Sequence, residues 1–129
     1  MSVQKSILPR FDIEVQCDYN VQESRPDEGF FFFVYTIRIK NLGSMSAQLL
    51  NRHWIITDAL GRTEEVRGPG VVGIQPHIKP GKSFNYDSAC PLKTSSGSMK
   101  GSYEMVCENG ETFKVEIPEF FLISPQSLH

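Results

Sequence analysis

The chain has 129 residues, 40% of them apolar and 22% charged, with a formal net charge of −2. That length suits one domain around one core, and the near-balanced charge supplies no positive field to gather nucleic acid or an anionic membrane. Three cysteines, Cys17, Cys90 and Cys107, form no C-x-x-C pair and have no closely spaced histidine, which argues against a disulfide framework and a zinc site and for a reducing, cytoplasmic setting. No apolar run approaches the roughly eighteen residues of a membrane span, and Lys5 and Arg10 precede no signal-type segment.

Phe11 to Asn20 alternates without a break, Phe11, Ile13, Val15, Cys17 and Tyr19 against Asp12, Glu14, Gln16, Asp18 and Asn20, the pattern of a strand with one wet face. Val21 to Gly29 reads as a mobile polar loop that tolerates insertion. In Phe30 to Lys40, Phe31, Phe33, Tyr35, Ile37 and Ile39 share one face of a second strand. The first half is apolar on the other face as well, so Phe30 and Phe32 need cover. Either the C-terminal tail, Phe120 to Ile123, folds back over them, or a partner subunit does.

Gln48 to Thr57 is β-rich, and its adjacent pairs Leu49-Leu50 and Ile55-Ile56 break the alternation and call for a bulge. Trp54 fills the core. A three-residue loop ending on a left-handed Gly61 sets Asp58 opposite Arg62 and Trp54 opposite Val66. Arg62 to Arg67, polar on both faces, belongs at a sheet edge.

GPGVVG, with Gly68, Gly70 and Gly73, has the G-x-G-x-x-G spacing of a dinucleotide loop. That fingerprint needs a helix directly downstream, and Pro76 and Pro80 exclude one, so the dinucleotide fold fails. Lys82 to Ala89 brings Phe84 and Tyr86 to one face of a strand. Thr94 to Gly101, small and polar, reads as a loop.

Ser102 to Ile117 is a hairpin whose register follows from side-chain facing. A two-residue Asn-Gly loop would split the apolar set between faces. A three-residue loop of Glu108, Asn109 and Gly110, the last left-handed, pairs Met105 with Phe113, Tyr103 with Val115 and Glu104 with Lys114. Seven to eight strands at these spacings give an all-β class: an antiparallel β-sandwich of two sheets.

RHWIITDALG (Arg52 to Gly61), VRGPGVVGIQPHIKPGKSFNYDSACPL (Val66 to Leu92) and GSMKGSYEMV (Gly97 to Val106) resemble the ApaG family, with the likeness running from about Ile7 to Ile123. The resemblance implies an immunoglobulin/fibronectin type III-like sandwich with a core over about residues 7–123 and short flexible termini. It also implies a link to cobalt tolerance and magnesium efflux with no assigned reaction. Related eukaryotic domains, in an F-box protein and a DNA-polymerase-delta-interacting protein, look like interaction modules. The family's glycine motif, here Gly68, Gly70 and Gly73, has been likened to a diphosphate-binding loop. Two positions depart from the family pattern: His77 replaces an aliphatic residue, and Ala89 a glycine before Cys90.

The glycine loop therefore has two readings. One is a structural corner with glycines where φ is positive or a neighbour presses close. The other is an anion nest of backbone amides over Gly68, Gly70, Val71, Val72 and Gly73, with Arg67, Arg62 and Lys79 adding charge and an affinity on the order of 0.1 to 1 mM for diphosphate or a nucleotide. His53 and His77 form no expected metal site, and no cofactor is implied. Cys90 and Cys107 read as inert buried thiols, Glu64 and Glu65 as solvated charges. No G-x-S-x-G elbow or H-E-x-x-H helix occurs.

The leading expectation is a non-enzymatic cytoplasmic domain that binds a protein partner, with Phe30 and Phe32 as the candidate surface, or pairs as a homodimer. The alternative is a diphosphate or nucleotide sensor using the Gly68–Gly73 loop. A phosphate-ester hydrolase is the third and weakest reading, lacking evident metal ligands or a general base.

Overall fold

The computed structural model describes residues 9–128. Eight strands, β1 (Phe11–Tyr19), β2 (Phe31–Asn41), β3 (Ala47–Asp58), β4 (Thr63–Pro69), β5 (His77–Ile78), β6 (Ser83–Leu92), β7 (Ser96–Cys107) and β8 (Thr112–Ile123), build two antiparallel sheets. One has the order β1-β2-β6; the other runs β4-β3-β7-β8, with β5 paired to the start of β3. The sheets face each other as an immunoglobulin/fibronectin type III-like sandwich. No helix among the described residues is long and apolar enough to cross a membrane.

Period two decides which side chains fill the space between the layers. Phe31, Phe33, Tyr35, Ile37 and Ile39 of β2 meet Leu49 and Trp54 of β3, Met99, Tyr103 and Met105 of β7, and Val115, Ile117 and Leu122 of β8 in one core. The predicted register of the β7–β8 hairpin holds: Met105 lies opposite Phe113, Tyr103 opposite Val115 and Glu104 opposite Lys114, and Gly110 has φ 89°. The β3–β4 turn also follows its prediction, with Trp54 opposite Val66, Gly61 at φ 81° and β4 at the sheet edge. There Asp58 Oδ2 accepts from Arg62 Nε at 2.8 Å.

Three expectations need correction. Residues 94–101 are not a loop, because from Ser96 onward they form the first half of β7, paired to β3 on one side and β8 on the other. Gly97 and Gly101 permit this central placement: a Cβ on Gly101 would sit 2.1 Å from the His53 carbonyl oxygen and one on Gly97 2.5 Å from that of Thr57. The C-terminal tail does not fold over Phe30 and Phe32. It continues β8 past a register shift near Pro118, and Phe120 enters the core 5.7 Å from the Tyr35 ring and 5.9 Å from Trp54.

The segment 21–29 is a hydrogen-bonded turn rather than a loose loop. Ser24 is buried, its hydroxyl donates to the Asn20 carbonyl at 2.6 Å and accepts from the Phe32 amide at 2.9 Å, and a short 3₁₀ turn covers Pro26–Glu28. After β8, Pro125–Leu128 forms a second 3₁₀ turn, with a 2.8 Å hydroxyl contact between Ser127 and Ser95. The expected N-terminal boundary at Ile7 lies outside the described residues.

Asn41, unremarked in the sequence, sits at the inward-facing end of β2 and is fully buried. Its Nδ2 donates to the carbonyls of Met45 (2.8 Å) and Ile78 (2.9 Å), and its Oδ1 accepts from the Gly43 amide (2.8 Å). One side chain thus joins the β2–β3 turn to β5. Asn41→Ala leaves the buried Ile78 carbonyl and the half-buried Met45 carbonyl and Gly43 amide without this partner and is expected to cost about 2–4 kcal/mol in urea denaturation. Gly61→Ala, a left-handed position with open space around it, is expected to cost only about 1 kcal/mol.

Candidate functional site

The glycine segment is a built corner. β3 carries a bulge between Leu49 and Asn51, and the Leu50 carbonyl accepts from the Gly70 amide at 2.8 Å and from Gln75 Nε2 at 2.9 Å. Val71 and Ile74 then exchange both backbone hydrogen bonds, at 2.8 and 2.9 Å, around a two-residue turn of Val72 and Gly73 with φ 44° and 80°. Both central residues are left-handed, the condition of a type I′ turn. Gly70 is required by space as well as by φ, since a Cβ there would stand 2.3 Å from the Ile74 carbonyl oxygen. Val71 drops into the core at 1% exposure, while Val72 and Ile74 face solvent. A β-branched residue at φ 44° is an uncommon, strained choice.

The residues singled out in the sequence are not brought to one place. Gly68 belongs to β4, opposite Arg52. Arg67 is opposite His53 on the outer face of the five-stranded sheet, where with Gly68, Ser102, Glu104 and Lys114 it lines an open concavity of about 650 Å³. Val71, Val72 and Gly73 instead line a cleft of about 410 Å³ between the β3–β4 side of one sheet and β6 of the other. Arg62 is held by Asp58. The Gly70 and Val71 amides are donated within the chain and Pro69 has none, so the only successive amides of the loop without an acceptor among the described residues are those of Val72 and Gly73.

On the outer concavity His53 Nε2 lies 3.0 Å from Glu65 Oε1, and Arg67 Nη2 lies 3.8 Å from the same oxygen, so Glu65 is a paired charge and not merely a solvated one. Glu104 Oε1 accepts from Asn51 Nδ2 at 2.6 Å. His77 is exposed on β5, and among the described residues no three His, Cys, Asp or Glu side chains converge as metal ligands.

Sequence reasoning missed Arg52, although parity would have found it. With Trp54 inward, Arg52 faces inward too, and a cation on a core-facing position calls for an explanation. Its guanidinium lies over Gly68, where an added Cβ would meet it at 2.9 Å, and Nη1 donates to the carbonyls of Pro69 (2.9 Å) and Gly70 (3.1 Å). Arg52 thus anchors the entry to the loop. Beside it in the cleft stand Tyr35, Trp54, Tyr86, Ser88 and Cys90, and the Tyr86 hydroxyl is hydrogen-bonded to that of Tyr103.

Burial raises the three thiols and the phenols of Tyr35, Tyr86 and Tyr103. Cys90 is pushed up to about 12 and Cys17 to about 11 from an ordinary 9.0, and Tyr35, Tyr86 and Tyr103 are raised by the same desolvation. Neutral, buried thiols are poor nucleophiles. Native protein is expected to release no thiolate to a disulfide reagent at pH 8 within minutes, and all three cysteines on denaturation. Because the unfolded chain gives up these protons first, the associated stability is complete below about pH 9 and lost as pH rises through the folded values. Urea midpoints measured from pH 8 to 11.5 are expected to fall monotonically above pH 9.

Residues 21–107 match the model of the ApaG domain. The chain is 61% identical over 127 residues to Protein ApaG of Bdellovibrio bacteriovorus, covering 98% of this chain and 100% of that protein. It is 53% identical over 121 residues to Protein ApaG of Xanthobacter autotrophicus, covering 94% and 93%. The crystal structure of the ApaA-designated protein from Bordetella pertussis superposes with a TM-score of 0.89 at 47% identity, covering 92% of this chain and 96% of that one. Domain match, full-length relatives and superposed sandwich agree: the chain belongs to the ApaG family.

Proposed function

We propose that this domain works without chemistry of its own, by binding a protein partner across the outer face of the β1-β2-β6 sheet. The supporting observation is the pair of phenylalanine rings at its corner. Phe30 and Phe32 stack at 5.9 Å, Phe30 is 38% exposed, and the tail that would have covered them is committed to the other sheet. Phe32 lies opposite Pro91 of β6, and Val34 opposite Ala89, so the apolar strip runs across two strands to the free edge of the sheet. Exposed aromatics grouped in this way are the usual anchors of protein interfaces. Proline on that edge removes a donor and disfavours uncontrolled strand addition.

The family's connection to cobalt tolerance and magnesium efflux is then carried by the partner. A diphosphate seated on the glycine loop is the second reading, supported by the two successive free amides of Val72 and Gly73. A photo-crosslinking group at position 30, in cells, is expected to capture a protein saturably, with excess wild-type domain competing. Phe30→Ser/Phe32→Ser should compete at least tenfold more weakly while retaining the wild-type melting profile. Equal competition by the folded double variant contradicts the proposal, and capture of only a second copy of this chain replaces it with self-association.

A further inference from the structure

The cleft between β4 and β6 meets the apolar strip at Ala89 and Pro91 and has the composition of a small-molecule site. Its volume, about 410 Å³, falls in the range of ligand pockets and holds about a dozen heavy atoms at the roughly 30 Å³ each that a water molecule takes up. The floor is apolar and aromatic, made by the buried Trp54, Tyr35, Val71 and Met99, and Val72, Ala89 and Pro91 stand exposed around it.

Arg52 is the one arginine or lysine among its lining residues. Its Nη1 is occupied by the Pro69 and Gly70 carbonyls, whereas Nε and Nη2 donate to no described residue, and no described carboxylate lies within salt-bridge distance. A half-buried guanidinium, held rigidly by two carbonyls and keeping donors to spare, is preorganised for an anion. The Tyr35, Tyr86 and Ser88 side chains supply further polar groups on the same walls. Toward Arg52 the glycine segment offers carbonyl oxygens and not amides, so in this cleft the segment organises the cation rather than receiving the anion itself.

We propose that this cleft binds a small organic monocarboxylate with an aromatic or short aliphatic body, its carboxylate on Arg52 and its body on Val72, Val66 and Pro91, above the buried Tyr35–Trp54 pair. Glu64 also lines the cleft, and its charge opposes a dianionic head more than a singly charged one. The planar guanidinium matches carboxylate geometry, and neutral analogues lose that contact. Val72, strained and exposed in the same wall, is placed to contact the body of the ligand.

Titration of ¹⁵N-labelled protein with phenylacetate and with hexanoate tests this. Saturable shifts are expected in the Val71–Gly73 amides and the Trp54 indole N–H, with millimolar affinity. The neutral 2-phenylethanol and the dianionic phenyl phosphate should each bind at least fivefold more weakly than phenylacetate. Arg52→Gln should weaken phenylacetate at least tenfold. Since that change also releases the loop carbonyls, Ser88→Leu, which narrows the cleft without touching Arg52, provides the second variant and should abolish the shifts. The proposal is overturned if neither carboxylate produces saturable shifts by about 20 mM, if 2-phenylethanol or phenyl phosphate binds as well, or if Ser88→Leu leaves binding intact.

Discussion

The bulge at Leu50 is the constraint from which the rest of the structure follows. Leu49 faces the core, and uninterrupted alternation would send Asn51, His53 and Ile55 inward after it. One extra residue resets the phase, so that Arg52, Trp54 and Ile56 turn inward and His53 and Ile55 face out. The residue left out of the ladder turns its carbonyl toward the Gly70 amide. A single register shift therefore places the tryptophan in the core, puts a cation beside it, and tethers the corner that closes the β4–β6 side of the sandwich.

The tether explains why GPGVVG resembles a phosphate loop without being built as one. Its glycines answer separate local demands. Gly68 leaves room for the Arg52 guanidinium, Gly70 for the Ile74 carbonyl, and Gly73 completes a left-handed turn. A nucleotide loop directs amides at its ligand from the start of a helix. Here two of those amides are bonded within the chain, and Arg52 binds carbonyls of the segment.

Much of this architecture was legible because facing and turn chemistry are local. Asp58 to Gly61 and Glu108 to Gly110 each name their turn, and the apolar alternation on either side leaves one register that keeps all large side chains in the core. Residues 94–101 do not show as a strand in the sequence because nothing local favours one in TSSGSMKG. Gly97 and Gly101 are there for close approach to the carbonyls of Thr57 and His53, partners some forty to fifty positions away, and such contacts leave no mark in composition. The course of the tail is hidden for a similar reason: Pro118 looks like the end of a strand, and only the sheet edge shows the bulge that accommodates it. Arg52 and Asn41 were readable in principle, since parity puts both on core-facing positions where an uncompensated polar group would be costly. Which carbonyls satisfy them depends on the tertiary fold alone.

The corner's hydrogen bonding is measured most directly by native-state amide exchange. If the segment is a tethered structural closure, the Gly70, Val71 and Ile74 amides exchange with protection approaching that of β3 and β7, while Val72 and Gly73 exchange at rates close to those of an unstructured chain. Uniformly fast exchange from Gly68 to Ile74 would contradict the account, because the bonds to Leu50 and across Val71–Ile74 would then not be holding the loop.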